Sequence, residues 1–353
     1  NAQGQVIAYN RMDPLDADTS DYDFINYLVM DPNDDDIIYF NNNTTLWRNN
    51  DASNYPYNNS QLRTNIGWEA FSNTSLGPIS CMDVSTSPAN TVYLGTQNSL
   101  VYRIDNANVG DPDLVQLSNL GIGSNKYISA VEVDPTNTDR VLVLASNYST
   151  YSIVFTDNGG QSWKRVAGNL EDNIAGGGNG PSMRTAEIAV LGIDTLYIVG
   201  GSTGLYATDK LEGNYTKWTQ IGTQVIGNVV VENIRYRQSD GKLIVGTHGT
   251  GVYSTIITSI YDVFPDLVTT QDNEDNIKLS VFPNPATNKA IAEWSNDIVV
   301  NRIIVSDANG KIVLSQKTNK NSVQLQTSDW EKGIYFITLK GEQVEQTQKL
   351  VIY

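Results

Sequence analysis

The sequence has one cysteine, Cys81, and one histidine, His248, among its 353 residues. A single cysteine excludes an internal disulfide and any metal site built from several thiolates. A single histidine excludes sites that need two imidazoles, such as a histidine-rich zinc centre. Cys81 lies in the apolar run ISCMDV, where a buried position is expected, and His248 lies among turn glycines in GTHGTG.

Long apolar runs are also missing. No stretch approaches the roughly 18 apolar residues of a membrane-spanning helix, so no membrane span is predicted. The sequence starts at Asn1 without a charged and then apolar leader, which is expected of a mature or trimmed form or of a fragment.

Basic residues are few, with 23 Lys and Arg against 39 Asp and Glu, which gives a formal net charge of −16. The distribution is uneven: residues 277–353 hold 9 basic and 7 acidic residues, and the rest holds 14 and 32. An acidic body repels phosphates and anionic membrane surfaces, so nucleic acid is not expected as a partner.

A hairpin signature recurs about every fifty residues. Each copy is rich in β-branched and aromatic residues, broken by Gly, Asn or Ser at the turn. Taking Tyr39, Tyr93, Leu142, Tyr197 and Ile244 as equivalent positions, the five hairpins cover residues 36–48, 91–104, 140–155, 195–208 and 242–255.

An apolar strand precedes each hairpin and a fourth strand follows the first four, which is the composition of a propeller blade. The sequence therefore predicts an all-β fold: a β-propeller with about five visible four-stranded blades in residues 1–257, a linker at 258–276, and a small Ig-like β-sandwich at 277–353. The fifth blade lacks its outer strand. Either the run QVIAYNR (5–11) supplies that strand and closes a ring, or the blades are part of a larger propeller.

The third blade contains TDNGGQSW at residues 156–163. This stretch resembles the Asp-box of BNR-type and sortilin-like propellers, although Asn158 stands where the motif usually has aspartate. The resemblance implies a structural hairpin whose polar side chains bond the turn backbone and whose Trp packs between blades. Thr156, Gly160, Ser162 and Trp163 match the motif, and Asn158 occupies its aspartate position.

The last region carries FPNPATN, SDANGKIV, WEKGIYFITLK and QKLVIY in that order. This order resembles the type A sorting domain of the type IX secretion system of Bacteroidetes. The sorting-signal positions that match are Pro283, Asn284, Pro285, Gly310, Gly333, Tyr335, Lys349 and Leu350.

The sorting resemblance implies export to the cell surface or the extracellular space. It also implies three partners: the type IX translocon, a surface sortase that removes the domain, and an anionic lipopolysaccharide anchor to which the cargo is joined. An ordinary Ig-like accessory domain is the alternative for residues 277–353.

For the propeller, we expect a non-catalytic binding, adhesion or scaffold module for a polysaccharide or protein ligand, because propeller loops gather at the channel mouth. The alternative is an extracellular glycoside hydrolase of the Asp-box type, which needs two carboxylates. No catalytic residue can be named. Loop aromatics suited to sugars are Trp47, Tyr55, Tyr57, Tyr148 and Tyr151.

No cofactor is expected. The cluster DPNDDD places Asp31, Asp34, Asp35 and Asp36 together and allows a structural calcium ion, but it lacks the spacing and the glycine of an EF-hand loop. An ordinary turn on an acidic surface is the simpler interpretation.

Overall fold

The computed structural model describes residues 5–6, 9–55, 62–72, 76–146, 148–173, 180–264, 279–294, 300–341 and 345–353. The chain divides into two compact units, residues 1–266 and 267–353. Among these residues, regular structure consists of strands and five short 3-10 helices, Thr19–Asp21, Ala52–Asn54, Gly168–Leu170, Gly213–Tyr215 and Ile260–Asp262.

The first unit is built from five consecutive antiparallel sheets, as expected for a β-propeller. Blade 1 contains β1 (Leu28–Asp31), β2 (Asp34–Asn42), β3 (Thr45–Asn49) and β4 (Trp68–Ala70). Blade 2 contains β5 (Ile79–Val84), β6 (Val92–Thr96), β7 (Val101–Ile104) and β8 (Leu114–Leu117). Blade 3 contains β9 (Ile128–Asp134), β10 (Asn137–Ala145), β11 (Ile153–Thr156) and β12 (Lys164–Arg165).

Blade 4 contains β13 (Met183–Leu191), β14 (Asp194–Gly201), β15 (Gly204–Thr208) and β16 (Thr219–Ile221). Blade 5 contains β17 (Val231–Arg237), β18 (Lys242–Thr247) and β19 (Gly251–Ile256). In the described residues its sheet has three strands. All five predicted hairpins are present, and the all-β prediction is confirmed.

Apolar clusters between successive blades hold the unit together. We call the face that a blade turns to the next one its forward face. On β2, β6, β10 and β14 this face is marked by Tyr39, Tyr93, Leu142 and Ile198, which are all fully buried. The predicted equivalence of Tyr197 is wrong by one residue, since Tyr197 packs backward against blade 3.

The two ends of the row of blades differ. The rear face of blade 1 is covered by the chain that precedes it, with Met12, Ala17 and Tyr22 packed against Phe40 and Trp47. No segment of the described chain covers the forward face of blade 5 in this way, and Ile244 on β18 is 40% exposed.

The run QVIAYNR forms no closing strand in its described residues. Residues 5, 6 and 9–11 of the run proposed to close the ring lie in no strand, and residues 7 and 8 lie outside the described part of the chain. Membership of a larger propeller stays a prediction.

The predicted linker starts later than expected. Ile257 and Ile260 are buried against blade 5, and Val263 and Phe264 pack beside them. Residues 258–264 therefore belong to the first unit, and the remaining predicted linker residues lie outside the described part.

In its described residues, the second unit is a two-sheet sandwich of seven strands. One sheet has the order β20–β21–β24 and the other β23–β22–β25–β26. The strands are β20 (Ser280–Phe282), β21 (Lys289–Glu293), β22 (Val300–Asp307), β23 (Ile312–Lys317), β24 (Ser322–Gln326), β25 (Gly333–Gly341) and β26 (Glu345–Ile352). The side chains that face inward from both sheets, such as Ile303, Leu325 and Ile337, form one core.

Candidate functional site: the axial channel and the sorting domain

The innermost strands of the five blades, β1, β5, β9, β13 and β17, surround an axial channel. Two cavities of about 570 and 720 Å³ occupy it, and Asp83, Glu132 and Arg235 line both of them. A third cavity, of about 540 Å³, is apolar and lies between the outer strands of blades 4 and 5. The channel is the candidate site because it is where polar and titratable side chains from different blades converge.

One position of each inner strand lines the channel, and we call these five positions the ring. In every blade, the ring residue of the first strand is the register partner of the forward-facing residue on the second strand. From blade 1 to blade 5 the ring reads Val29, Asp83, Glu132, Glu187 and Arg235.

The ring carboxyls reach toward the next blade. The N–H of Val133 donates to Oδ2 of Asp83 at 2.8 Å, and Val133 directly follows the ring residue Glu132. Burial raises the pKa of Glu132 and Glu187, and the backbone groups of Ile188 and Tyr236, which directly follow the next two ring residues, partly oppose that rise. The Asp83 bond therefore connects blade 2 to blade 3.

Burial is nevertheless the dominant influence on these carboxyls. It raises the pKa of Glu187 to about 8, and Arg235 only partly opposes it. Burial also raises the pKa of Asp83 and of Glu132, and the negative charges of the other two acids raise that of Glu132 further. Arg235 lies 3.8 Å from Glu187, but its side chain is 69% exposed, so solvent screens its charge.

One end of the channel has its own polar group. Arg184 donates to Glu232 at 3.1 Å, and His248 lies 3.7 Å from the same carboxylate. His248 occupies the turn between β18 and β19 and its side chain is 78% exposed. Tyr27 and Tyr127 line the same cavity. This end can bind a polar ligand through carboxylate, guanidinium and phenol groups.

The sequence predictions did not include the acidic ring. Its signal is visible once the inner strands are aligned, because ISCMDV, ISAVEV and TAEIAVL each carry one acid inside an apolar run. An acid in such a position needs a special environment, because burying an ionised carboxyl is costly.

The four predicted sugar-binding aromatics that the structure describes do not line the channel cavities. Trp47 is buried behind blade 1, and Tyr55 is buried with its hydroxyl donating to the carbonyl of Ile66. Tyr151 stacks under the Arg165 guanidinium at 3.4 Å. Tyr148 is exposed, and Tyr57 lies outside the described residues.

The DPNDDD cluster forms a local turn. Oδ1 of Asp31 accepts from the N–H of Asn33, and Oδ1 of Asp34 accepts from the N–H of Asp36. Asp36 in turn accepts from the N–H of Ser53, and Asp35 is exposed. Within the described residues, no three acidic, histidine or cysteine side chains are placed to hold a metal ion.

The TDNGGQSW stretch forms the turn between β11 and β12. Oδ1 of Asn158 accepts from the N–H of Ser162 at 3.0 Å, and its Nδ2 donates to the Ser162 hydroxyl at 2.8 Å. The Thr156 hydroxyl accepts from the N–H of Gly160 at 3.0 Å. Trp163 packs against the cluster between blades 2 and 3. Both the oxygen and the nitrogen of the Asn158 side-chain amide therefore form hydrogen bonds within the turn.

Gly160 has a positive φ of 88°, and a Cβ there would lie 2.6 Å from a methyl carbon of Leu117 in blade 2. A residue without a side chain is therefore needed where the turn meets the neighbouring blade.

In the sandwich, the first and last motif segments contact each other. Nδ2 of Asn284 donates to the carbonyl of Lys349 at 2.7 Å, and its Oδ1 accepts from the N–H of Val351 at 3.0 Å. The N–H of Ala286 donates to the carbonyl of Val351. The segment with Pro283 and Pro285 is therefore fixed along β26, while both prolines are exposed.

Other motif positions support the sandwich itself. Tyr335 and Leu350 are buried cross-strand partners, and the Tyr335 hydroxyl donates to the carbonyl of Glu331 at 2.8 Å. Gly310 takes a φ of 83° in the turn after β22, where its N–H donates to the carbonyl of Asp307. Gly333 begins β25, opposite Ile352.

Comparison with known families matches residues 280–353 to the secretion system C-terminal sorting domain. The chain carries a type IX secretion system sorting domain. The protein is therefore exported by that system to the cell surface or the extracellular space, and it interacts with the secretion machinery. No helix within the described ranges is long and apolar enough to cross a membrane. No curated protein matches the chain.

Two solved structures are similar to the chain over most of its length. One is PorZ, an essential surface component of the type IX secretion system of Porphyromonas gingivalis, with 12% identity, a TM-score of 0.43, and coverage of 93% of this chain and 51% of that one. The other is the GH74 xyloglucanase of Xanthomonas campestris, with 13% identity, a TM-score of 0.42, and coverage of 88% and 50%. The chain spans about half the length of each.

Proposed function

We propose that the protein is a surface-displayed binding protein whose propeller takes up a hydroxyl-rich ligand, such as an oligosaccharide, at the axial channel. The observation that carries this proposal is the convergence of Asp83, Glu132, Arg235 and the Arg184–Glu232 pair on one solvent-accessible channel. Carboxylates, guanidinium groups and phenols are the groups that bind sugar hydroxyls, and propeller ligands commonly occupy the channel mouth.

The test measures the binding of soluble polysaccharides to the full chain by affinity electrophoresis. Arg235→Ala and Glu232→Gln should each weaken the retardation by a polysaccharide that binds. Glu212→Gln, an exposed acid outside the channel, should leave it unchanged. Equal retardation of all these variants would exclude the channel as the binding site.

A glycoside hydrolase is the second candidate, and one observation favours it. The Glu187 carboxyl has a pKa raised to about 8 by burial, as a general acid requires, and Glu132 lies at the equivalent ring position of the neighbouring blade. Release of reducing ends from xyloglucan, abolished by both Glu187→Gln and Glu132→Gln, would establish it. Binding without any release supports the binding protein.

The fate of the exported protein is proposed from the sorting domain. After export, a surface sortase removes the domain and joins the propeller to an anionic lipopolysaccharide. The sorting domain holds 9 basic and 7 acidic residues, so its removal leaves the acidic character of the propeller almost unchanged. This charge distribution is compatible with cleavage between the two.

A further inference from the structure

The four-stranded sheet of the sorting domain has an unusual outer face. In β25, Tyr335 and Ile337 point into the core, yet the residues that alternate with them are also apolar. Ile334 is 43% exposed and Phe336 is 38% exposed. In β24 of the opposite sheet, by contrast, buried Val323 and Leu325 alternate with exposed Ser and Gln. A strand that faces water on one side is expected to alternate as β24 does.

The exposed apolar residues are neighbours on that sheet. Phe336 lies opposite Ser306 of β22 on one side and Lys349 of β26 on the other, and Ile312 of β23 lies opposite Ser306. Ile312 is 59% exposed. Ile334 lies opposite Val351 at the same end of the sheet. Together these residues form one apolar patch at the end where β25 begins.

The other end of the same face is basic. Arg302 lies between Lys317 and Lys340 in one row across β23, β22 and β25. Lys349 is a fourth basic residue of the face, and it lies at the apolar end beside Phe336. Glu345, opposite Lys340, is the acidic residue of that row. In a chain with a net charge of −16, this combination of apolar and basic residues is distinctive.

We propose that this outer face, around Ile334, Phe336, Ile312 and Lys349, is the surface by which a protein component of the secretion system binds the sorting domain before export. The domain has to be recognised by that system, and this face has the features of a protein interface, with an aromatic residue at an apolar centre beside basic groups. The partner that fits is an apolar pocket with acidic side chains on the side of Lys349.

The buried motif residues fit a different role. Tyr335 and Leu350 lie on the inner side of the same strands and stabilise the sandwich. The inward residues of β25 therefore stabilise the sandwich, and its outward residues are available for recognition. The two roles can be tested separately.

The experiment measures export of the full chain from a type IX-secreting strain, by quantifying extracellular, surface and periplasmic protein. Phe336→Thr and Ile334→Thr retain strand propensity and remove the apolar contact. Each should lower export about tenfold, with intact protein accumulating in the periplasm. Ile193→Thr, at a fully exposed apolar residue of the propeller, is the matched control and should be exported normally.

A second pair of variants tests the role of the positive charge, and it decides the outcome if the threonine variants fail to fold. Lys349→Glu should reduce export, whereas Lys320→Glu, the same change in the exposed turn before β24, should not. Thermal unfolding of the purified variants verifies that the sandwich is intact.

Two results would overturn the proposal. One is normal export of folded Phe336→Thr and Lys349→Glu. The other is export at normal levels with loss only of surface attachment, which would assign the face to the later attachment to lipopolysaccharide.

Discussion

The Oδ2 atom of Asp83 accepts a hydrogen bond of 2.8 Å from the backbone N–H of Val133, and this bond joins the inner strands of blades 2 and 3. Polar bonds of Ser80 to Ile128 and of Tyr93 to Thr138 also cross between these two blades, beside the apolar cluster. The Asp83 bond gives that interface a directional polar contact at the channel wall.

Replacing Asp83 with Ala should destabilise the propeller by about 1–3 kcal/mol, since the buried N–H of Val133 loses its acceptor. Asp83→Asn retains an acceptor oxygen and should cost less. Chemical denaturation measures both changes, with Asp35→Ala at an exposed position as the control. An Asp83→Ala variant as stable as the Asp35→Ala variant would show that the bond contributes nothing.

The stability of the propeller should fall as pH rises. The pKa of Glu187 is raised from 4.5 to about 8 by burial, and that of Glu132 is raised for the same reason. A carboxyl whose folded-state pKa lies above its unfolded value stabilises the fold fully below the unfolded value. That contribution is lost as the pH rises from about 4.5 to about 8.

In the Glu187→Gln variant, the side chain at this position is neutral at every pH. The unfolding temperature of the variant should therefore decrease less than that of the unmodified protein over this range. The advantage of the variant in unfolding temperature should be largest at the alkaline end. Parallel pH profiles for the two proteins would contradict a raised pKa at Glu187.

The turn of blade 3 should depend on Asn158. Asn158→Ala removes an acceptor for the Ser162 N–H and a donor to its hydroxyl, and it should destabilise the propeller by about 1 kcal/mol. Asn158→Asp restores the aspartate of the Asp-box pattern. It keeps the acceptor while Ser162 donates its hydroxyl proton, so it should be close to neutral. A larger loss with Asp than with Ala, seen in urea unfolding, would count against this description of the turn.

The sorting domain should weaken without Asn284. Asn284→Ala removes both side-chain bonds to β26 and should lower the stability of the sandwich by about 1–2 kcal/mol. Differential scanning calorimetry should show a lower transition for the second unit and an unchanged one for the propeller. Thr318→Ala, in a turn of the same unit, is the comparison, because the Thr318 hydroxyl accepts a bond from the N–H of Lys320, two residues away. No shift in the second transition would mean that Asn284 is dispensable for folding.

The strands were largely predictable from sequence, because their pattern is local. The hairpins around Tyr39, Tyr93 and Ile244 were identified from β-branched residues and turn glycines or asparagines, and the seven sandwich strands from alternation. Residues such as Asn284 were found through resemblance, although their hydrogen bonds to β26 join positions more than sixty residues apart.

The axial ring was not predicted, since its members are about fifty residues apart and become neighbours only when blades pack. The aromatic prediction failed for a related reason. Trp47 and Tyr55 follow turn-rich sequence, but the segment before blade 1 and the loop after β3 bury them. Burial of a loop residue by a distant segment leaves no local pattern.

The most direct test of the central claim is the location and intact mass of the protein in cells with and without a working type IX translocon. We predict surface or extracellular protein in the first strain, with the residues from about 280 onward removed by the sortase, and full-length protein held in the periplasm of the second. The same location in both strains would contradict export through the sorting domain.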